Sequence, residues 1–526
     1  MSRPKAATIR RVSQGLFLAA FLALFVLTVW PIGLAAPVDI FLRTDPLVVI
    51  SALLAAKAWA LSLVLLALPV LVLALLAGRI YCGWVCPLGT TIDLADRLLF
   101  ARTRSRPATE RRRWKYYALA AVVVSALFGA QLAYFMDPIS LLTRTLTLAV
   151  VAPVHAAVHG LAGVGWVQEA YAYLQARVDF FARQTFLPPQ PSVFRMGWVV
   201  LGIFVGVLAL GAVEKRFWCR NLCPLGALLG LFSRVPLLRR RVSDACTACL
   251  RCARNCSTGA INSEDPKTHR IVECIHCYKC AAVCPERAVR FVPTASFAGR
   301  EAQLDLSRRR LLAFGALGLG WAAMAHSEPQ SRPTVIGNPT ASPQLIRPPG
   351  ALPEPEFLDR CVRCQQCAKA CPTNGLQPAL GEAGLDGLWT PVLVPRIGPC
   401  SEHCNLCGQV CPTDAIAPIR VADKPAIFIG EAIIDRSSCI VWANDQSCLV
   451  CDEVCPYDAI NWKIVEGKKR PVVNQHTCTG CGECEKNCPV QPLAAIRVFS
   501  LGDRRHWGRQ RQREWRYGKQ RVDESS

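Results

Sequence analysis

Hydrophobic and polar positions divide this chain unevenly. Residues 16–36, 58–78, 116–136 and 196–213 are apolar and uncharged over about 18–21 residues each, enough as helices to cross a hydrocarbon core of about 30 Å. Pro31 near the end of the first run and Pro69 inside the second are kinks that a bundle tolerates. A shorter apolar run at 311–325 rises only about 22 Å as a helix. Beyond residue 356 the apolar positions thin into short strand-like runs such as 426–429 and 470–473, too few to make a large core. The pattern predicts a four-span membrane α-helical bundle followed by small α+β domains.

Charge orients that bundle. The chain has 60 Lys and Arg against 38 Asp and Glu, a net charge of +22, and a mean hydropathy of +0.27. The basic residues gather beside the apolar runs: Arg3, Lys5, Arg10 and Arg11 before the first, residues 102–115 between the second and third, and Lys215, Arg216 and Arg220 after the fourth. By the positive-inside rule these segments are cytoplasmic, so loops 37–57 and 137–195 face outward. Charge placed in this way argues against nucleic-acid binding. The first span lacks a small-residue cleavage site and reads as retained.

Cysteine spacing changes the picture most. The clearest quartet is Cys478, Cys481, Cys484 and Cys488, the last followed by Pro489. This is the bacterial ferredoxin spacing, in which three thiolates hold one 4Fe–4S cube and the fourth crosses to its neighbour. Related quartets are Cys246/Cys249/Cys252/Cys256, Cys274/Cys277/Cys280/Cys284 and Cys361/Cys364/Cys367/Cys371. Cys400/Cys404/Cys407/Cys411 and Cys439/Cys448/Cys451/Cys455 stretch the first gap. Disulfides need no such repeated spacing, and zinc sites use two short pairs set well apart. Six quartets therefore predict six cubes, with these 24 cysteines as iron ligands.

The remaining four cysteines form two CxxxCP pairs, Cys82/Cys86 and Cys219/Cys223, each continuing into Leu-Gly. An Asp-Pro dipeptide, at Asp45 and at Asp137, accompanies each pair on the outer side, so the bundle reads as an internal repeat. Like topology in both halves would bring the four thiols to one level. There they hold a seventh cluster, or else stay reduced at helix starts or against a partner. Asp137, His155 and His159 are the candidate quinol-site residues, because imidazole and carboxylate are suited to accepting protons from a quinol. The alternative is polar residues wetting an interfacial helix.

Residues 246–284 resemble a compact two-cluster ferredoxin, which implies Cys246/Cys249/Cys252 with Cys284 and Cys274/Cys277/Cys280 with Cys256; Ser257 stands where proline is usual. Arg308-Arg309 within a Leu-Ser-Arg-Arg-Arg-Leu-Leu segment, the apolar run and Ala323-Met324-Ala325 make a twin-arginine export signal in mid-chain, either cut after Ala325 or kept as an anchor. Residues 326–355 carry eight prolines and read as a semi-extended tether. The expected organisation is a transmembrane domain at 1–225, a cytoplasmic two-cluster domain at 226–305 and the signal at 306–326. A linker at 327–355, a periplasmic four-cluster domain at 356–500 and a basic tail at 501–526, solvated or lightly packed, follow. In the four-cluster domain the first quartet is expected to pair with the fourth and the second with the third, with adjacent pairing as the alternative.

The membrane half, with its two CxxxCPLG pairs and two-cluster segment, resembles the NapH/MauN group of membrane ferredoxins. The export signal and the four quartets after it resemble NapG/MauM, their exported partner. The chain thus looks like a fusion of the two. The resemblance implies a quinol dehydrogenase module in a bacterial inner membrane, drawing on the quinone pool and passing electrons to a periplasmic cytochrome or reductase. A wire fed by a cytoplasmic redox donor is an alternative. So is an assembly factor similar to NosR or CcoG, which share the CxxxCP half. No nucleophile–base pair, phosphate loop or flavin motif supports other chemistry.

Overall fold

The computed structural model describes residues 3–29, 38–57, 61–100, 110–162, 192–233, 237–262, 264–293, 306–327, 345–501 and 503–505. These form two compact units, one of residues 1–27, 38–149 and 196–324, the other of 28–37, 150–195 and 325–526.

The first unit is helical, and proline sets where four of its helices begin. Pro46–Ala56, Pro87–Leu98, Pro138–Thr145 and Pro224–Phe232 each start with proline at the first helical position, capped by Asp45, Cys86, Asp137 and Cys223. Proline suits that position because its missing N–H has no partner to lose there and its φ is already helical. The order Asp-Pro, Cys-Pro, Asp-Pro, Cys-Pro realises the internal repeat. Strand β1 (Leu238–Val242) pairs antiparallel with β2 (Val289–Pro293) and closes the two-cluster segment.

The four expected spans correspond only in part to the helices. Among the described residues, two helices are long and apolar enough to cross a membrane, Ala6–Leu27 and Pro138–Val158. Helices Leu61–Ala77, Trp114–Leu127 and Gly197–Ala209 are shorter. The run at 116–136 breaks because Gly129 takes φ +81° just past Leu127, and Gly78 at φ +66° ends the helix before it, the left-handed position that stops a helix. The segments read as outer loops are largely helical where described. Pro46–Ala56 lies in one, and in the other a helical stretch runs from Pro138 through a π-turn to Ala162. Arg144 on this stretch is buried and donates to the Tyr134 carbonyl at 3.3 Å. Arg308–Ser327, the segment read as an export signal, is one continuous helix.

The second unit is built from cysteine loops and short antiparallel ribbons. Strands β3 (Leu376–Pro378) and β4 (Pro391–Leu393) pair, as do β5 (Glu431–Ile434) with β8 (Ile496–Phe499) and β6 (Ile460–Val465) with β7 (Lys468–Val473). The expected strand at 470–473 lies in β7. The one at 426–429 is displaced to β5, because Val421–Ala426 forms a 3-10 turn holding Pro425. The tail is packed at its start: Arg505 is buried and pairs with Glu354 at 3.1 Å and Asp503 at 2.7 Å. Residues 506–526 lie outside the described residues.

Candidate electron-transfer centres

Backbone conformation explains how each regular quartet closes. The residues on both sides of the second cysteine are left-handed in all four. They are Ala248 and Leu250, His276 and Tyr278, Arg363 and Gln365, and Gly480 and Gly482, with φ between +47° and +86°. Only glycine adopts this region freely, and for other residues it costs about 1–2 kcal/mol each. Strain repeated around one thiol marks a site where a bound group holds the loop in place. The stretched quartets have no such flanks.

In the second unit the cysteines surround four small cavities. Cys361, Cys364 and Cys367 share one with Cys411, and Cys400, Cys404 and Cys407 share one with Cys371. Cys478, Cys481 and Cys484 share one with Cys455, and Cys439, Cys448 and Cys451 share one with Cys488. Each fourth thiol has crossed to its neighbour in sequence. The first-with-fourth pairing expected from the sequence is therefore wrong, and adjacent quartets pair. Main-chain amides point at several sulfurs: Ala459 N–H to Cys455 Sγ at 3.3 Å, Ile416 N–H to Cys411 Sγ at 3.4 Å and Ala432 N–H to Cys478 Sγ at 3.4 Å. Such donors stabilise anionic sulfur, so these rings fit 4Fe–4S cubes. A hydrogen bond from Cys400 N–H to Cys481 O, 2.8 Å, joins the middle two rings.

In the first unit Cys256 lies in electrostatic range of Cys274 and Cys280, as crossing requires. Cys246 lies in range of Cys252. Ala260 N–H donates to Cys256 Sγ at 3.2 Å, and Arg240 lies 3.8 Å from Cys252 Sγ. Ser257 is buried beside this turn.

Two of the predicted iron ligands in this segment stand apart, Cys249 by its exposure and Cys277 by its charged neighbours. Cys249 is exposed to solvent, unlike every other quartet cysteine. Its carbonyl accepts from Arg254 at 3.1 Å. Cys277, between left-handed His276 and Tyr278, is half-buried. It lies in range of Cys274 and Cys280, as its quartet requires, but also of Arg10, Arg216 and Lys279. The structure thus brings Cys277 to its quartet on a basic flank and leaves Cys249 at the surface. Spacing alone treats all four thiols of a quartet alike and carries no signal for either difference.

The two CxxxCP pairs also converge: Cys86 and Cys223 each lie in electrostatic range of Cys82 and Cys219. Cys86 and Cys223 cap their helices in the same way, each Sγ accepting from the amide three residues on, Gly89 or Gly226, at 3.4 Å. Two arginines cross between the halves. Arg79, three residues before Cys82, donates to Cys219 O at 3.2 Å, and Arg216, three before Cys219, donates to Cys82 O at 3.2 Å. Each is anchored by an acid: Arg79 on Glu273 at 2.8 Å and Arg216 on Asp93 at 2.6 Å. Burial alone would raise Asp93, but the charges of Arg216 and then Arg10 outweigh it and hold the carboxyl well below the usual carboxylate range. Glu273 also takes Lys115 and precedes Cys274, so it ties the thiol cage to the two-cluster segment. The two make close backbone contact. A Cβ on Gly83 would lie 2.6 Å from Ile275 O, and Trp84 Nε1 donates to His276 O at 3.1 Å. The repeated Arg-x-x-Cys spacing was present in the sequence but carried no weight without this crossing.

The quinol-site candidates separate. Asp137 belongs to the first unit, fully buried and capping its helix. His155 belongs to the second, where Nδ1 lies 2.9 Å from Ser192 Oγ. The side chain of His159 lies outside the described residues. His155 lines a cavity of about 700 Å³ together with Ser192, Lys369, Cys371 and Lys486. Burial lowers the Lys369 ammonium to about 8.

Rings of four thiolates with inward amides have one common use, the holding of cubes that carry single electrons; this is a ferredoxin-type electron-transfer protein. Families described as 4Fe-4S binding domains match residues 59–107 with 196–243, 357–377 and 274–288, and a 4Fe-4S dicluster domain matches 446–491. The chain is 39% identical to the methylamine utilization ferredoxin-type protein MauM of Methylorubrum extorquens, over 37% of this chain and 89% of that protein. It is 34% identical to the ferredoxin-type protein NapG of Escherichia coli, over 31% of this chain and 73% of that one. To MauN of Methylorubrum extorquens it is 26% identical, over 48% and 74%. No solved structure matches. The chain belongs to the MauM/NapG/MauN group of ferredoxin-type proteins.

Proposed function

We propose that the chain is a quinol-oxidising electron relay anchored in a bacterial inner membrane. Six cubes on the 24 quartet cysteines, and a seventh on Cys82, Cys86, Cys219 and Cys223, supply one-electron storage. The observation that carries this reading is the 700 Å³ cavity in which His155 and Cys371 are both wall residues. Its size suits a quinone head group, and Cys371 belongs to one of the cysteine rings. His155, held by Ser192, accepts a proton from the bound quinol, and Lys369 stabilises the anion that remains. Electrons pass along the rings joined at Cys400 and Cys481 to a periplasmic redox protein. The four-span topology and the export of the C-terminal domain belong to this proposal.

Close packing of the Gly83 loop on Ile275 favours a second route, in which a cytoplasmic donor feeds the thiol cage through the 246–284 cubes. The exposed Cys249 suits that route, because it brings one cube to the surface where a soluble donor can dock. Rapid mixing of anaerobic membranes with a reduced quinol distinguishes the two. Bleaching of cluster absorbance on mixing, slowed at least tenfold in His155→Ala, supports the first. Reduction only by a low-potential soluble donor supports the second and overturns the first.

A further inference from the structure

Asp45 and Asp137 occupy equivalent places in the two halves of the first unit, and neither is exposed to solvent. One oxygen of each is committed to capping. Asp45 Oδ1 accepts from the amides of Leu47 at 2.8 Å and Val48 at 3.4 Å, and Asp137 Oδ2 accepts from that of Ser140 at 2.7 Å. The other two, Asp45 Oδ2 and Asp137 Oδ1, are buried and receive no donor from the protein. Yet the two side chains are within hydrogen-bonding reach of each other. Carboxylates only accept, so two in contact need a proton between them.

This pair also communicates with the thiol cage. Asp45 is in electrostatic range of Cys86, and Tyr81 is in range of both acids and of Cys82 and Cys86. Tyr81 Oη is buried without a hydrogen-bond partner. The other charged groups near the pair are Arg144, further along the helix that Asp137 caps, and the Asp39–Arg43 ion pair on the short helix before Asp45.

We propose that Asp45 and Asp137 form a proton-binding site that shares one proton while the Cys82/Cys86/Cys219/Cys223 centre is oxidised and takes up a second when that centre gains an electron. The inference rests on the reading that these four thiols hold a redox centre. One electron enters at the thiols and one proton, drawn from water, enters at the carboxyls; both leave on reoxidation. Only the carboxyl O–H bond forms and breaks. The paired acids thereby offset the negative charge that an electron adds to a buried site.

The full chain, purified anaerobically, is titrated with chemical mediators at several pH values, following the centre lost in Cys223→Ala. In the wild type its potential should fall with rising pH by about 59 mV per unit, the value for a tenfold change at one electron. Asp45→Asn and Asp137→Asn keep a good helix cap but remove the shared site, and each should flatten the slope. Infrared difference spectra should show a protonated-carboxyl band, sensitive to deuterium oxide, that changes on reduction and is absent from the double asparagine variant. Should a variant fail to assemble, the wild-type band alone decides. A flat wild-type slope, a slope unchanged in both variants, or no redox-linked carboxyl band overturns the proposal. Unchanged iron content in Cys223→Ala overturns it together with the four-thiol reading. Because mediators deliver the electrons, failure of quinol oxidation with the slope intact counts against the quinol reading alone.

Discussion

Each regular quartet turns on the residues beside its second cysteine. Gly480 and Gly482 adopt their left-handed φ without cost, and a Cβ on Gly482 would lie 2.5 Å from Pro395 Cβ. Gly482→Ala should therefore lower stability by about 1–3 kcal/mol, the usual range for overpacking, seen as earlier thermal loss of cluster absorbance. Leu250 holds the same conformation with a side chain, at φ +58°. Leu250→Gly should be neutral or stabilising by up to about 1 kcal/mol in the same assay. The quartets were legible in the sequence because thiol spacing is local. The strain beside them was not, since only one of the four quartets declares it with glycines. Nor was the exposure of Cys249 or the basic flank of Cys277, which depend on what the rest of the fold packs against each loop.

Among the elements, the helices of the first unit show what hydropathy can and cannot reveal. The apolar runs announced helices, while the helices that begin at the Asp-Pro and Cys-Pro dipeptides lie outside those runs. The third run was misjudged in length where Gly129 stops the helix early, because a glycine inside an apolar run leaves mean hydropathy nearly unchanged. The helical stretch from Pro138 fell in a segment read as an outer loop, because local hydropathy does not show what a segment packs against. Long-range ion pairs were invisible for the same reason: Arg10, Asp93 and Arg216 are far apart in sequence. Asp93→Asn would leave Arg10 and Arg216 buried without their counter-charge and should cost about 3–5 kcal/mol, measured as chemical denaturation of the first unit. In the two-cluster segment, burial, with Arg240 nearby, lowers His269 from 6.5 to about 4. The folded state then binds fewer protons than the unfolded one between those values, so stability is lost as pH falls from 6.5 to 4. The loss should approach about 3 kcal/mol, and His269→Gln should remove it, as read by cluster release on mild acidification.

At the scale of the molecule, the order of the rings in the second unit makes a directional claim. Adjacent pairing places the Cys371 ring, one of the middle two, beside the cavity and the Cys488 ring in the other pair, across the Cys400–Cys481 contact. The sequence left this order open, because crossing between neighbouring quartets and between distant ones satisfies the same spacing. If quinol delivers electrons at the cavity, these two rings should respond differently to the loss of one thiolate. Cys488→Ala removes a terminal ring, so the other three rings should still bleach at the wild-type rate while transfer to a periplasmic acceptor fails. Cys371→Ala removes the point of entry, so bleaching of the whole second unit should fall at least tenfold even where the remaining cubes assemble. Iron and sulfide counts on both variants separate a lost cube from a lost pathway. Equal bleaching in the two would mean that electrons enter elsewhere, and the cavity beside His155 would then have to serve some other ligand.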